Sequence, residues 1–126
     1  MPKEIIYSPN APEPIGPYSQ AVRSGNLLFV SGQIALERTS GQLVTSNIKE
    51  ETKQVMANVN EILKAAGVTF SNVLKTTIFL KDMNNFPAVN EVYGSYFSSQ
   101  PPARETVEVS RLPRDANVEI SCIASI

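Results

Sequence analysis

The side chains able to do chemistry in this sequence are carboxylates, guanidinium groups, amides, hydroxyls and one thiol, because none of its 126 residues is histidine. Without histidine no Ser-His or Cys-His relay is possible, and the commonest zinc ligand is missing. Several remaining candidates fall in two segments near the C-terminus, Ala103 to Val109 and Asn117 to Ser125, which alternate in period two and read as strands. Alternation places Arg104, Thr106, Glu108, Glu119, Ser121 and Ile123 on one face, and Val107, Val109, Val118, Ile120, Cys122 and Ala124 on the other. A turn through Leu112-Pro113-Arg114-Asp115 would join the two strands as a hairpin. The apolar face should be core, with Cys122 a buried structural thiol. The mixed face is either bare to solvent or a subunit interface with paired charges.

Other elements must hold these strands in place. Glu4 to Tyr7 reads as a short first strand, followed by an ordered or extended loop from Ser8 to Tyr18 containing Pro9, Pro12, Pro14 and Pro17. Ala21 to Arg23 and Leu27 to Ser31 flank the hairpin turn Ser24-Gly25-Asn26. From Ile48 to Ala66 the apolar residues Ile48, Val55, Met56, Val59, Ile62, Leu63 and Ala66 form a one-sided stripe, which predicts a helix. Asn47 with Glu50 suits a capping box, and Gly67 a C-terminal stop. Val73 to Leu80 reads as a strand. A second helix follows Asn84-Asn85, with Pro87 in its first turn and Phe86, Val89, Tyr93, Tyr96 and Phe97 on or near one face; Gln100-Pro101-Pro102 is its expected stop. The order predicts one α+β domain over residues 1–126, a sheet with two helices on one face.

Composition excludes several classes of function. Hydrophobic residues make up 42% and charged residues 18%, as in ordinary globular chains. No apolar run approaches the roughly 20 residues of a spanning helix, so no membrane association is expected. The N-terminal residues lack a secretory pattern and Cys122 stands alone, which points to a cytoplasmic location. Eleven Lys and Arg against twelve Asp and Glu give a net charge of −1 without a basic run, so nucleic acid is not the expected partner.

Four stretches together resemble the reactive-intermediate (imine/enamine) deaminase family, RidA/YjgF branch. They are Ile15-Gly16-Pro17-Tyr18, Ser31-Gly32-Gln33-Ile34, Lys75 through Met83, and Pro101-Pro102-Ala103-Arg104 running through Val107-Glu108-Val109 to Arg111-Leu112-Pro113. The resemblance covers nearly the whole chain in order and spacing. It implies a chorismate-mutase-like fold, a mostly antiparallel mixed sheet, and a homotrimer with its sheets turned inward and three clefts between subunits. It also implies hydrolysis of 2-imino acids, such as 2-iminobutanoate and 2-iminopropanoate, to 2-keto acids and ammonia, without metal or cofactor.

Carried over residue by residue, the family's carboxylate-binding arginine falls on Arg104, its glutamate near the water on Glu119 and its loop tyrosine on Tyr18. Its glycine backbone contact falls on Gly32 and its helix asparagine on Asn90. Thr106 stands where many members carry cysteine, which leaves the backbone carbonyl but no thiol for the reaction. The chemistry is compatible with these groups. A protonated imine is already electrophilic, so hydrolysis needs positioning and a water more than a strong nucleophile. Arg104 offers a planar fork for a substrate carboxylate, and Glu119 a base for the water. A non-catalytic trimer that binds small carboxylates would use Arg104 equally but has no need of Glu119. A ribonuclease reading has less support from a chain without histidine or basic excess.

Overall fold

Local chemistry accounts for most of the observed elements. The computed structural model describes residues 2–126. In chain order it contains β1 (Glu4–Ile6), β2 (Ala21–Ser24), β3 (Leu27–Gln33), α1 (Ile48–Ala65), β4 (Val73–Leu80), α2 (Phe86–Gly94), β5 (Ala103–Glu108) and β6 (Val118–Ser125). Gly25 takes a left-handed φ of 60° in the tight turn from β2 to β3, which it enters without a Cβ penalty. Asn47 starts α1 by accepting the Glu50 N–H on its side chain at 2.9 Å. Only this half of the expected capping box forms, since the Glu50 carboxylate pairs with Lys53 at 3.1 Å. Val55, Met56, Val59, Ile62 and Leu63 are buried along one face of α1, each contributing about 1.5–3 kcal/mol by leaving water.

The strands form one mixed sheet in the order β1-β2-β3-β6-β4-β5, antiparallel except for β4 and β5, with two helices. The α+β architecture is as the sequence predicts. No helix of the described residues is long and apolar enough to cross a membrane.

Three local expectations require correction. The second helix stops at Gly94, well before Gln100-Pro101-Pro102. Single turns then bond Tyr96 N to Tyr93 O and Phe97 N to Gly94 O, folding both rings against Phe70 at centroid distances of 5.2 and 5.6 Å. Aromatic packing and a glycine outweigh the helical spacing there. Secondly, β5 and β6 are not a hairpin. The chain leaves β4, crosses over through α2 and returns parallel to β4 as β5, so β4 separates β5 from β6.

The third correction follows from the second. Parallel pairing sets Arg104 beside Thr76, Thr106 beside Ile78 and Val107 beside Phe79. On the other side of β4, Ile78 pairs with Ile120 and Phe79 with Glu119. Paired residues share a face, so Arg104, Thr106 and Glu108 lie on the helix side, and Glu119 and Val107 on the opposite side. The expectation that Arg104 and Glu119 share a face is overturned, as is the placing of Val107 under the helices, where it would be buried rather than 39% exposed.

The face away from the helices carries a row of apolar side chains. Register places Val22, Phe29 and Ile123 in line, with Leu27, Phe79 and Val107 on the same side. Phe29 is 44% exposed and Leu27 40%, exposures unusual for large apolar residues in mid-sheet.

Candidate functional site

The sequence-derived site residues fall into two groups on the two faces of the sheet. The first group, Tyr18, Gly32 and Glu119, lines a cleft of about 760 Å³. Its outer wall is the proline-rich segment, which has no regular secondary structure to hold it. Buried Gln20 supplies the missing order. Its side-chain oxygen accepts the Ser8 N–H at 2.6 Å, and its amide donates to the carbonyls of Ser8 at 3.1 Å and Pro12 at 2.9 Å. Arg38 adds a bond to the Ala11 carbonyl at 2.6 Å and an ion pair to Glu13 at 3.1 Å, and Glu13 also accepts from the Tyr7 hydroxyl. This staple presents the Tyr18 ring, about half exposed, at the cleft.

Glu119 forms the floor. Between the pairs Val30–Cys122 and Gln33–Ile120, β3 has two residues, Ser31 and Gly32, where β6 has only Ser121. This is a β-bulge, the device by which sheets re-aim side chains beside functional sites. At the bulge the Glu119 carboxylate lies against the Gly32 Cα. A Cβ at Gly32 would overlap the carboxylate oxygen and sit 2.9 Å from its carbon. The reason for glycine here is therefore space, since Gly32 is not among the glycines of positive φ. Glu119 has no hydrogen-bond or ion-pair partner among the described residues, and burial raises its pKa above the ordinary 4.5.

Gly32→Ala accordingly should leave the fold intact, because the displaced atoms end a flexible side chain, while pushing the carboxylate toward solvent. Carbon NMR of the Glu119 carboxyl should show its titration falling toward that of an exposed glutamate. An unaltered titration would mean that the close approach to Gly32 does not govern the Glu119 environment.

The second group, Arg104, Asn90 and Thr106, occupies the β5 edge under α2. Arg104 donates to the Asn90 side-chain oxygen at 2.7 Å. Its guanidinium carbon lies 5.1 Å from the Tyr93 ring centroid and 5.3 Å from that of Phe86, contacts that hold the plane of the fork. No carboxylate pairs with Arg104 among the described residues. Its remaining donors are available to a ligand. The Thr106 hydroxyl is buried without a partner beneath the helix layer.

Within one chain the two groups stand two strands apart on opposite faces, so no small molecule reaches both. The sequence reading missed three contributors. Arg114 and Pro113 line the cleft beside Glu119, a role that neither the turn pattern nor the resemblance assigns them. Gln20 carries no local signal, because its role depends on backbone groups 8 to 12 residues away. Among the described residues no group of three His, Cys, Asp or Glu side chains could hold a metal ion.

Comparison with known proteins identifies the family. A family model described as endoribonuclease L-PSP matches residues 8–126. A RutC family protein of Pyrococcus horikoshii is 52% identical over 122 residues, covering 97% of each chain. A mouse protein named 2-iminobutanoate/2-iminopropanoate deaminase is 50% identical over 122 residues, 97% of this chain and 90% of that one. The crystal structure of Escherichia coli TdcF with bound serine superposes with a TM-score of 0.93 at 36% identity, covering 98% of each chain. On the extent of these matches, with the two-helix mixed sheet, the chain belongs to the endoribonuclease L-PSP family, the YjgF/RidA proteins.

Proposed function

We propose that this protein hydrolyses 2-imino acids and their enamine tautomers to 2-keto acids and ammonia, in clefts shared between the copies of a homotrimer. The observation that carries the reading is the pair of half-sites. Arg104 is a cation without a carboxylate, Glu119 is a carboxylate without a cation, and one sheet separates them. A second chain laid against the exposed row of Phe29, Leu27 and Val107 would cover that apolar face. It would also bring the Glu119 cleft of one copy toward the β5 edge of the next. Two named properties of relatives support the ligand class: the mouse protein's deaminase name and the serine bound by TdcF.

The residues then divide the work. Arg104 holds the substrate carboxylate on two donors while Asn90 and the two rings keep its plane fixed. The Thr106 carbonyl accepts a hydrogen bond from the protonated imine nitrogen, favouring its charged, electrophilic form. Glu119 takes a proton as water adds to the imine carbon, giving a carbinolamine. The same carboxyl returns the proton to nitrogen and then takes the hydroxyl proton as the C–N bond breaks and the C=O bond forms, and that proton leaves with ammonia as ammonium. Burial suits Glu119 to the first step, because a carboxylate of raised pKa is the better base for the attacking water. Tyr18 covers the cleft mouth. RNA cleavage, the activity in the family model's description, finds no histidine and no basic excess in this chain.

Subunit complementation tests both parts of the reading. Arg104→Ala and Glu119→Gln proteins are each expected to be inactive as trimers. If each cleft takes Arg104 from one copy and Glu119 from another, equal mixing before assembly rebuilds about one cleft in four. Imine made by a coupled amino-acid oxidase should then disappear at about a quarter of the wild-type rate, after subtraction of spontaneous hydrolysis. No rescue, or a monomer in sedimentation at micromolar concentration, would refute the shared cleft. Keto-acid binding without hydrolysis by the wild type would instead mark a small-carboxylate sensor.

A further inference from the structure

Glu51 is a fully buried carboxyl group in the first turn of α1, on the face otherwise given to Val55, Met56 and Val59. A buried carboxyl is costly unless its oxygens are satisfied. Both are used by a single residue: Asn117 donates its backbone N–H to Oε2 at 2.8 Å and its side-chain amide to Oε1 at 2.8 Å. No cation pairs with Glu51 among the described residues.

Asn117 in turn is the hinge between two parts of the cleft. Two residues after it comes Glu119; before it lies the turn Pro113–Asp115, which carries Pro113 and Arg114 into the cleft wall. Arg114 and Asp115 take left-handed φ values of 55° and 58° in succession. Such backbone persists in residues other than glycine only where its surroundings over-determine it. The constraints here are the Lys81–Asp115 ion pair at 2.8 Å, the bond from Lys81 N to the Asn117 carbonyl at 3.1 Å, and the two bonds to Glu51. The last pair ties the segment to a helix rather than to its own neighbours.

We propose that Glu51 is a positioning residue for the cleft, holding Glu119 and the Pro113–Arg114 wall in their working places through its two bonds to Asn117. The kinetic part of this inference rests on the hydrolytic reading above. Its physical part does not, because the placement of the Glu119 carboxyl is observable without turnover.

Two substitutions separate positioning from bulk stability. Glu51→Gln keeps both bonds, since its amide oxygen accepts the Asn117 N–H and, if the Asn117 amide turns over, its nitrogen donates to the Asn117 oxygen. Glu51→Leu fills the space and keeps neither. For the full chain as it assembles, the measurements are thermal midpoint, kcat and KM per folded protein, and the Glu119 carboxyl titration by carbon NMR. Glu51→Leu is expected to lower kcat by about 10- to 100-fold, the scale of an ångström-level misplacement. KM should change by much less, and the Glu119 titration should move toward the ordinary glutamate value. Glu51→Gln should stay within about threefold of wild type. If the Leu protein does not fold, Asn117→Ala, which leaves Glu51 its backbone partner, should show the same shifts in smaller measure. An unchanged Glu119 titration in whichever of these two variants folds overturns the proposal, as does a Gln variant as impaired as Leu. Should the wild type hydrolyse no imine, the functional reading fails, and the titration alone still decides the role of Glu51.

Discussion

Replacing Arg104 with alanine should lower kcat/KM for imino-acid hydrolysis by about 10³-fold or more. Two charge-assisted hydrogen bonds at about 2 kcal/mol each correspond to that loss. The effect should appear without unfolding, because Arg104 is exposed and its contacts to Phe86, Tyr93 and Asn90 lie at the edge of the sheet. Stability should stay within about 1 kcal/mol of wild type by melting, the scale of an exposed cation–π contact. Arg104→Lys is the discriminating variant. An ammonium keeps the charge but not the fork, and cannot lie flat on Tyr93 while donating to both carboxylate oxygens. It should recover less than about a tenth of the lost activity. Near-normal turnover by the lysine variant would show that charge alone suffices and would remove the two-pronged contact from the mechanism.

Glu119→Gln should separate binding from chemistry. The amide keeps the size of the side chain but cannot take the proton from water, so the saturated rate should fall by about 10² or more. A keto-acid product analogue should bind as before, since Arg104 holds it. Stability supplies an independent check, with its sign set by burial. The Glu119 pKa is raised above 4.5 in the folded chain, so folding favours the protonated carboxyl. The stabilising contribution of that proton is full below the unfolded value and is lost as pH rises through the folded one. Above it, ionised Glu119 weighs against the folded state, and Gln does not. The variant should therefore melt at a higher temperature than wild type near pH 7, with the difference vanishing near pH 4. An unchanged saturated rate would take Glu119 out of the reaction and leave positioning by Arg104 and the backbone. A variant less stable at neutral pH would show that the carboxylate has a partner in the assembly.

The extent to which these features were legible in the sequence depended on the range of the interaction behind them. The stripe of Val55, Met56, Val59, Ile62 and Leu63, the Asn47 cap and the turn at Gly25 are set by contacts within a few residues, and each appears where its pattern predicts. The alternation Val118, Ile120, Cys122, Ala124 identified the buried face of β6 because that strand is flanked on both sides and covered by α1. β5 misled for the opposite reason. It is an edge strand under a short helix, exposed on both faces except at half-buried Thr106, so its one valine, Val107, carries no information about which side is core.

The candidate residues themselves were named by resemblance, and the structure sorted them into a cleft group and an edge group. By its own chemistry the sequence determined that the protein has no histidine to use, that an α1-like amphipathic helix must cover a sheet, and that any chemistry would fall to carboxylate, guanidinium, hydroxyl and backbone groups. Only the tertiary structure decided that β5 runs parallel to β4, and hence that Arg104 and Glu119 face opposite ways. Side-chain alternation is a property of one strand, whereas the face it presents depends on register with a neighbour far away in sequence. The bulge that seats Glu119 against Gly32, the Gln20 staple and the Glu51–Asn117 clamp are of the same kind. Each joins groups that no local pattern links, through hydrogen bonds or close contacts that exist only once the sheet has brought the distant segments together.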